Sequence, residues 1–403
     1  MNVEVLKKIS QIDGIRLGVA ASGERYQNRN DLMVIELSEG TSCKALFTKN
    51  AFCAAPVSVA RRHLDAQVST RYLIVNAGNA NAGTGEGGLK DAKEICSILA
   101  KAADCSVESV LPFSTGVIGQ FLDTKPFGKA IEDCLLNLSA DNWVEAGKAI
   151  MTTDTRLKAI STTVDLNGTI ITVTGIAKGS GMIKPDMATM LAFVATDAAL
   201  SPAMVKSVCE EAANVSFNRI TVDGDTSTND AFVLMATGAR QNKKIIKDSD
   251  EFRVLAETIC MVCTELAKDI VRDGEGATKL ATITVFGEEE EERSRVAYAV
   301  AESPLVKTAL FASDANWGRI LAAVGRSIEP TTRLEDININ VSGLPLVKNG
   351  QPVVSKNSDA IDQAFAQSEI EFSIYLNDGT LSTSVWTCDY SYEYVRINAE
   401  YRT

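Results

Sequence analysis

The sequence predicts a layered protein of mixed α/β (α+β) class, and three observations lead to this prediction. Helical and strand patterns both run along the whole chain, without the strict alternation that a parallel α/β fold requires. Several strand patterns are apolar throughout, which is typical of strands buried on both faces. Repeats of solenoid length do not stand out. Sheets covered by helices account for this combination.

The elements follow from periodicity and from start and stop signals. Ser201 and Pro202 give the clearest helix start, because a hydroxyl N-cap is followed by proline in the first turn. The predicted helices span residues 90–103, 126–138, 141–151, 201–215 and 251–272. The predicted strands span residues 32–37, 72–75, 169–176, 189–196, 231–236, 281–286, 337–341, 370–376 and 381–386.

Two turn-like segments complete this description. Asn377, Asp378 and Gly379 separate the last two strands, which predicts a hairpin. Five consecutive glutamates at 288–292 are interpreted as a solvated loop. The chain is strand-rich beyond this point, and its 403 residues suffice for two or three domains. We therefore predict one domain over residues 1–280 and a smaller one over 281–403.

The composition excludes several classes of protein. A formal charge of −12 argues against wrapping nucleic acid and against docking on an anionic membrane. Apolar runs of about 18 residues, which a membrane-spanning helix needs, are missing from the sequence. The first residues lack the apolar centre of a signal peptide. We expect a cytoplasmic protein.

Cysteine and histidine usage restricts the chemistry. The nine cysteines are irregularly spaced, which favours reduced thiols, and Cys260 and Cys263 lie in a helical pattern that points them near the core. The one histidine, His63, follows two arginines and is interpreted as solvated. A histidine-rich zinc site is therefore impossible, no metal site is expected, and acid–base chemistry has to come from another group.

The most informative segment covers residues 178–198 and reads KGSGMIKPDMATMLAFVATDA. A glycine-rich loop ends at Ala188 and Thr189, and an apolar strand pattern starts at once. A threonine hydroxyl needs a base, and the α-amine of Thr189 itself, with a pKa of about 7.7–8.0, is a candidate if the bond between residues 188 and 189 is cut. A structural turn and a phosphate cradle remain alternatives, although a cradle normally opens a helix rather than a strand.

A second segment, residues 114–119, places a hydroxyl next to a glycine. Backbone N–H groups that converge at such a point form an oxyanion hole. A tight glycine turn at a strand end is the alternative interpretation.

Read together, these segments resemble the ornithine acetyltransferases of arginine biosynthesis, also called glutamate N-acetyltransferases. The matching blocks run in order along nearly the whole chain, at residues 47–50, 54–57, 76–85, 114–119, 151–154, 178–198, 223–230, 273–279, 314–319 and 398–403.

The resemblance implies a reaction and an architecture. The precursor would cleave itself between Ala188 and Thr189 into an α chain, 1–188, and a β chain, 189–403. Thr189 would then take the acetyl group from N2-acetyl-L-ornithine and pass it to L-glutamate in a ping-pong reaction. The implied fold is an α-β-β-α sandwich resembling N-terminal-nucleophile hydrolases, with a smaller C-terminal α/β domain.

The resemblance also implies roles for individual residues. Thr115 and Gly116 match the oxyanion-hole pair of the family. The substrate-binding set is matched by Thr152, Lys178, Thr189, Glu275, Asn398 and Thr403. Lys178 suits a carboxylate, whereas Glu275 suits an ammonium group or the Thr189 amine.

Further expectations follow from the family. No cofactor is expected; some members also use acetyl-CoA as an acetyl donor, and no nucleotide fingerprint in this chain decides that point. The family suggests a heterotetramer of two α and two β chains. Two other functions compete: a self-processing aminopeptidase or amidase of similar fold, and a non-catalytic nucleotide-binding protein.

Overall fold

The computed structural model describes residues 4–5, 8–184, 190–353 and 358–400. Its strands are β1 Glu4–Val5, β2 Ile15–Ala20, β3 Leu32–Leu37, β4 Ser42–Phe47, β5 Tyr72–Asn79, β6 Val110–Val117, β7 Lys158–Leu166, β8 Thr169–Lys178, β9 Leu191–Thr196, β10 Ile220–Thr221, β11 Ala231–Ala236, β12 Leu280–Phe286, β13 Asn338–Val341, β14 Leu344–Lys348, β15 Gln351–Pro352, β16 Glu369–Tyr375 and β17 Ser382–Cys388. Its helices are α1 Ala55–Asp65, α2 Gly85–Ala102, α3 Phe127–Leu136, α4 Trp143–Ala149, α5 Pro202–Val215, α6 Asp250–Arg272, α7 Glu290–Ala301, α8 Pro304–Phe311, α9 Trp317–Gly325, α10 Ser358–Ala366 and α11 Tyr392–Glu400.

Two sheets form the centre of the larger part of the molecule. One has the strand order β1-β7-β8-β9-β11-β4, and the other has the order β2-β3-β5-β6. Strands β9 and β11 run parallel, and Leu191 lies opposite both Ala231 on β11 and Lys178 on β8. Strands β5 and β6 are also parallel, with Gly78 opposite Gly116.

The hydrophobic cores show how these sheets are layered. One core lies between the two sheets and joins Phe113 of β6 to Phe193 of β9. A second core lies between the first sheet and helices α5 and α6. A third lies between the other sheet and helices α1, α2 and α3. The order of layers is α-β-β-α, which confirms the predicted fold class.

Strand β9 shows why its sequence is apolar at every position. Leu191 and Phe193 face the core between the sheets, whereas Ala192 and Val194 face the helical layer. Both faces of the strand are thus covered, and period-two alternation of polar residues disappears.

The C-terminal part is built on a third sheet, of order β10-β17-β12-β16-β13-β14-β15. Its core draws residues from Ala281 to Val385. The hairpin predicted around Asn377 is wrong, because β12 lies between β16 and β17 and pairs with both. The turn instead packs on the chain just after β12, where a Cβ on Gly379 would lie 2.5 Å from the carbonyl carbon of Gly287. The division into domains at residue 281 stays a prediction.

Two local interpretations of the sequence fail, one of them in part, because a polar side chain has a hydrogen-bond partner inside the fold. His63 is buried on α1, and its Nδ1 lies 2.7 Å from the carbonyl oxygen of Val110. Residues 288–291 of the glutamate run are exposed as expected, but only the first two lie in a loop, and the other three open helix α7. Within it Glu292 is buried and accepts hydrogen bonds from the Glu329 amide at 2.7 Å and the Thr332 hydroxyl at 2.8 Å.

The expectations for Ser201 and for the two helical cysteines are confirmed. Ser201 caps α5, where its side chain accepts a hydrogen bond from the Met204 amide. Cys260 and Cys263 lie on α6 as free thiols, and burial raises the pKa of Cys260 to about 12. Among the described helices, none has the length and apolar character needed to span a bilayer. The described residues also hold no group of three histidine, cysteine or acidic side chains suited to a metal ion.

Candidate active site

A cavity of about 120 Å³ opens where the two central sheets meet. The end of β6 forms one part of its wall, and the end of β8 with the start of β9 forms another. The loops after α4 and α6, residues 227–230 before β11 and the helix α11 also line it. Six of the residues predicted for the site line this cavity: Thr115, Gly116, Thr152, Lys178, Glu275 and Asn398. Three others, Ala188, Thr189 and Thr403, lie outside the described residues.

Lys178 at the end of β8 is the cation of the cavity wall. Its ammonium group donates to the hydroxyl of Thr115 at 3.0 Å and to that of Thr152 at 2.8 Å. Burial lowers the pKa of Lys178, and Asp154, 3.9 Å away, acts in the opposite direction. The lysine is therefore held in place by two hydroxyls and a carboxylate.

The two threonine hydroxyls are oriented by that same ammonium group. Each accepts a hydrogen bond from Lys178, whose ammonium group can donate hydrogen bonds but cannot accept them. Each hydroxyl therefore keeps its own hydrogen for an acceptor elsewhere, polarised by the positive charge behind it. Thr115 and Thr152 are thus suited to donate to an oxygen atom of a substrate or an intermediate.

Asp154 lies behind Lys178 in a buried network of alternating charge. Its carboxylate accepts from Lys158 at 2.7 Å, from the Gly179 amide at 2.7 Å and from the Thr152 amide at 3.0 Å. Burial alone would raise the pKa of Asp154, but Lys178, Lys158 and the Gly179 amide outweigh it and lower the pKa. The carboxyl is therefore ionised, and it fixes the segments before β7 and after β8.

Lys158 extends this network to the end of helix α6. Its ammonium group lies 2.5 Å from the Asp273 carboxylate, and both side chains are at most 2% exposed. Asp273 also accepts from the amides of Thr155, at 3.0 Å, and Arg156, at 3.2 Å. Asp273 is two residues before Glu275, so a single ion-pair chain connects three parts of the cavity wall.

Glu275 supplies a carboxylate at the cavity. Its Oε2 accepts from the Asn398 side-chain amide at 2.9 Å, and its backbone N–H donates to the carbonyl oxygen of Ser180 at 2.9 Å. Its carboxyl packs so closely on the loop after β8 that a Cβ on Gly181 would lie 2.5 Å from it. Glycine at position 181 therefore leaves room for the Glu275 carboxyl.

Gly116 allows β6 to approach β5 at the cavity. It has a φ of +134°, and a Cβ there would lie 2.2 Å from the carbonyl carbon of Gly78. Asn229 fixes this edge from the other sheet, since its amide donates to the carbonyls of Ala80 at 2.6 Å and Ser114 at 2.9 Å. The predicted oxyanion segment is thus held by both sheets.

Comparisons with known proteins identify the family. A sequence profile described as the ArgJ family matches residues 16–403. The chain belongs to the ArgJ family. A relative from Psychrobacter arcticus, named arginine biosynthesis bifunctional protein ArgJ, is 47% identical over 406 residues, covering 100% of this chain and 99% of the relative. A relative of the same name from Pseudomonas syringae pv. tomato is 46% identical over 400 residues, covering 99% and 98%.

A solved structure agrees with the family assignment. The crystal structure of arginine biosynthesis bifunctional protein ArgJ from Bacillus halodurans is 38% identical, with a TM-score of 0.50. The match covers 53% of this chain and 100% of that one. The resemblance predicted from ordered sequence blocks is confirmed.

In this ArgJ family member, sequence reasoning missed several groups around the cavity. Asp154, Lys158 and Asp273 were given no role, although two of them lie in the matching blocks. Asp230 was also missed: it lines the cavity, is buried, and its Oδ2 has no hydrogen-bond partner in the part of the chain that the structure describes. One signal was available for Asp230, since an acidic residue directly precedes the apolar run of β11.

Proposed function

We propose that this ArgJ-family protein is an acetyltransferase that moves the acetyl group of N2-acetyl-L-ornithine to L-glutamate. The reaction proceeds in two halves through an acetyl ester on Thr189. The nucleophile becomes active when the chain cuts itself between Ala188 and Thr189. The observation that carries the proposal is one cavity that gathers a cation, two oriented hydroxyls and a carboxylate beside Met190, the residue that follows Thr189.

The chemistry of these groups supports each step. After cleavage the α-amine of Thr189 serves as base for the Thr189 hydroxyl, which attacks the acetyl carbon. The tetrahedral intermediate carries an oxyanion, and the Thr115 hydroxyl and the backbone at Gly116 stabilise it. A donor of this kind contributes about 2.7–4 kcal/mol to the transition state. Ornithine then leaves, and the amine of glutamate attacks the ester.

The polar wall suits an amino-acid substrate. Lys178 binds a carboxylate, and the Thr152 hydroxyl donates to an oxygen of the same group. Glu275 and Asn398 form a polar pair that binds an ammonium group. Acetyl-ornithine carries one charge of each sign and therefore matches both ends of the cavity.

Intact mass spectrometry combined with an acetyl-transfer assay tests the proposal. Purified wild type should give two chains, residues 1–188 and 189–403, and should release ornithine from N2-acetyl-L-ornithine. Thr189→Ser, which keeps a hydroxyl, should retain cleavage and activity. Thr189→Val, which has nearly the same shape without a hydroxyl, should give one inactive chain. An uncut wild type with full activity would contradict the mechanism.

A self-processing amidase is the second candidate, because water and glutamate compete for the same ester. The two functions differ in the acceptor. For the transferase, ornithine release requires glutamate and stops after one turnover without it. Continued release at the same rate in the absence of glutamate assigns the hydrolase.

We further propose acetyl-CoA as a second acetyl donor and no tightly bound cofactor. The word bifunctional in the names of both relatives supports this. Replacing acetyl-ornithine by acetyl-CoA in the same assay should yield N-acetylglutamate and free thiol. If only acetyl-ornithine serves as donor, the protein recycles existing acetyl groups and does not introduce new ones from acetyl-CoA.

The assembly is proposed as a cytoplasmic heterotetramer of two α and two β chains. A net charge of −12 supports a protein that binds neither nucleic acid nor anionic membranes. Native mass spectrometry should give the mass of two complete chains. The mass of one complete chain would contradict the proposed assembly.

A further inference from the structure

Asn229 is a buried amide of the cavity wall that the proposed mechanism leaves unused. It lies in the segment before β11, is 7% exposed and lines the same cavity as Gly116. Its side-chain nitrogen has two hydrogens and donates to the carbonyl oxygens of Ala80 at 2.6 Å and Ser114 at 2.9 Å. Its Oδ1 accepts from the Thr228 hydroxyl at 2.5 Å. Both amide hydrogens are therefore used, and both hold backbone of the opposite sheet or of the loop that follows it.

The bond to Ser114 acts on the proposed oxyanion segment. The Ser114 carbonyl belongs to the peptide group that joins this residue to Thr115. That group is planar, so a hydrogen bond to its oxygen fixes the orientation of the backbone that enters Thr115 and then Gly116. The Ser114 hydroxyl is held as well, since it donates to the Asn76 side chain at 2.5 Å. Asn229 thus acts on the oxyanion segment through its backbone.

The same short segment also holds the strand that follows the nucleophile. The amide of Ala231, two residues after Asn229, donates to the carbonyl of Met190 at 3.0 Å. This bond lies at the start of the ladder in which β11 runs parallel to β9. Met190 directly follows Thr189 in the sequence. Three consecutive residues, 229–231, therefore connect the oxyanion segment on one sheet to the start of the nucleophile strand on the other.

Acyl transfer needs this connection to be accurate. The Thr189 oxygen has to reach the acetyl carbon while the oxyanion donors meet the acetyl oxygen, and these two atoms are bonded to each other. The nucleophile and the donors come from different sheets and, after the proposed cut, from different chains. A misplacement of about 1 Å between them can cost about 10²-fold in rate.

We propose that Asn229 is a positioning residue, which sets the distance between the Thr189 nucleophile and the oxyanion hole. The inference rests on the proposed acetyl transfer. The Asn229 amide acts through the Ser114 carbonyl rather than on the substrate, and it moves no proton. It serves both halves of the reaction, because a tetrahedral intermediate with an oxyanion forms in each.

A variant that keeps the approximate shape of the side chain without its hydrogens tests this role. Asn229→Leu should lower the rate of ornithine release in a single turnover about 10- to 100-fold per cut chain. It should lower the release of 4-nitrophenolate from 4-nitrophenyl acetate by a similar factor, because both acetyl groups need the same oxyanion hole. Ornithine has no acetyl group, so its dissociation constant, measured by calorimetry, should change less than about threefold.

Asn142→Leu is the matched control. The Asn142 side-chain amide also donates to two backbone carbonyls, those of Leu17 and Asn137, each at 2.9 Å, but this residue does not line the cavity. All three measurements should stay at wild-type values. Asn229→Gln, which retains both amide hydrogens one methylene further out, should recover part of the rate lost on both donors.

Distinct outcomes overturn the inference. Weaker binding of ornithine in step with the loss of rate assigns Asn229 a structural role, and a loss on N2-acetyl-L-ornithine alone assigns it to substrate binding. Wild-type rates on both donors assign no role. Should the leucine variant be insoluble or uncut, Asn229→Gln decides, since it should show the same pattern with a smaller loss. A wild type that releases no ornithine at all refutes the proposed function itself, independently of Asn229.

Discussion

Asp154 and Asp230 lie beside one cavity, and their surroundings shift the pKa values of the two carboxyls in opposite directions. Asp154 contacts Lys158 and two backbone amides, and Lys178 is 3.9 Å away, so its pKa is lowered despite burial. Asp230 has the Ser227 side chain, the backbone amides of Met190 and of Asp230 itself, and the charge of Lys178, but burial dominates and its pKa is raised. Burial opposes ionisation at both sites, and the ion pair of Asp154 with Lys158, at 2.7 Å, decides the result there.

The difference between these carboxyls shows how hydrogen-bond partners decide whether a buried acid stabilises the chain around it. A carboxylate whose partners are all satisfied fixes the chain around it and has no proton to give. A buried carboxyl with a raised pKa and an oxygen that makes no hydrogen bond stabilises the chain around it less than that carboxylate does. Pairs of acidic groups whose pKa values diverge in one site mark the division of such roles.

The largest effect is expected from removing the cation that satisfies Asp154. Lys158→Met keeps the volume but leaves two buried carboxylates, Asp154 and Asp273, without their shared partner. The free energy of unfolding, measured with urea, should fall by about 3–5 kcal/mol. Lys129→Met, which breaks the exposed pair with Asp133 on α3, serves as control and should leave stability within error. Similar results for both variants would remove the distinction between buried and exposed pairs here.

The cation between the two aspartates should affect binding. Lys178→Met removes a charge-assisted hydrogen bond worth about 1.5–3 kcal/mol, so kcat/KM for N2-acetyl-L-ornithine should fall about 10- to 100-fold. Lys148→Met on the exposed face of α4 is the control and should keep wild-type kinetics. A Lys178 variant with unchanged KM and kcat would assign carboxylate binding to another group.

The opposite pKa shifts should appear as opposite slopes of stability with pH. The folded state of wild type retains the Asp230 proton after the unfolded chain has released it, at a pKa of about 3.9. Wild type should therefore lose stability relative to Asp230→Asn as the pH rises above about 4, by at most about 1.4 kcal/mol per pH unit. Urea unfolding at pH 4 to 7 measures this difference.

Asp154→Asn supplies the contrast for that measurement. Because the folded pKa of Asp154 is lowered, its stabilisation is complete above about pH 4 and is lost as the pH falls further. Relative to this variant, the free energy of unfolding of wild type should rise with pH only below about pH 4 and should be level above it. Slopes of the same sign for both variants would show that folding shifts the pKa values of the two carboxyls in the same direction.

The smallest effect is expected at the third carboxyl, Glu275, which is half-buried. Asn398→Ala removes one exposed hydrogen bond to it, worth about 0.5–1.5 kcal/mol. KM for acetyl-ornithine should rise about 2- to 10-fold with little change in kcat. A change in kcat without a change in KM would argue against a role of Asn398 in binding.

Local elements were predictable from the sequence to the extent that local residues determine them. The strands at 32–37 and 231–236 were predicted with their bounds, because each apolar run is sharply flanked. The hairpin at Asn377 failed because its strands pair with β12, almost a hundred residues earlier. The loop predicted at the start of helix α7 was wrong in part, because the glutamate run does not reveal that Glu292 is buried and bonded to Thr332.

The candidate site was predictable only where a family pattern covered it. Residues such as Lys178 and Thr115 were predicted and lie at one cavity. The partners that set their charge were not, since Lys158 and Asp273 are 115 positions apart. Ion pairs of this range leave no periodic signal, and an unsatisfied oxygen such as that of Asp230 exists only once the fold has closed around it.

The strand order of the first sheet has a consequence for the proposed cut after Ala188. Strands β9 and β11 belong to the later fragment, and they lie side by side between β8 and β4 of the earlier one. Pulling the fragments apart would open both of these ladders and split the cores on each side. Separating the two fragments therefore requires unfolding the protein. Under native conditions, fragments from different molecules should not exchange with each other. Subunits labelled with heavy isotopes and mixed with unlabelled protein should keep their original pairing of fragments indefinitely.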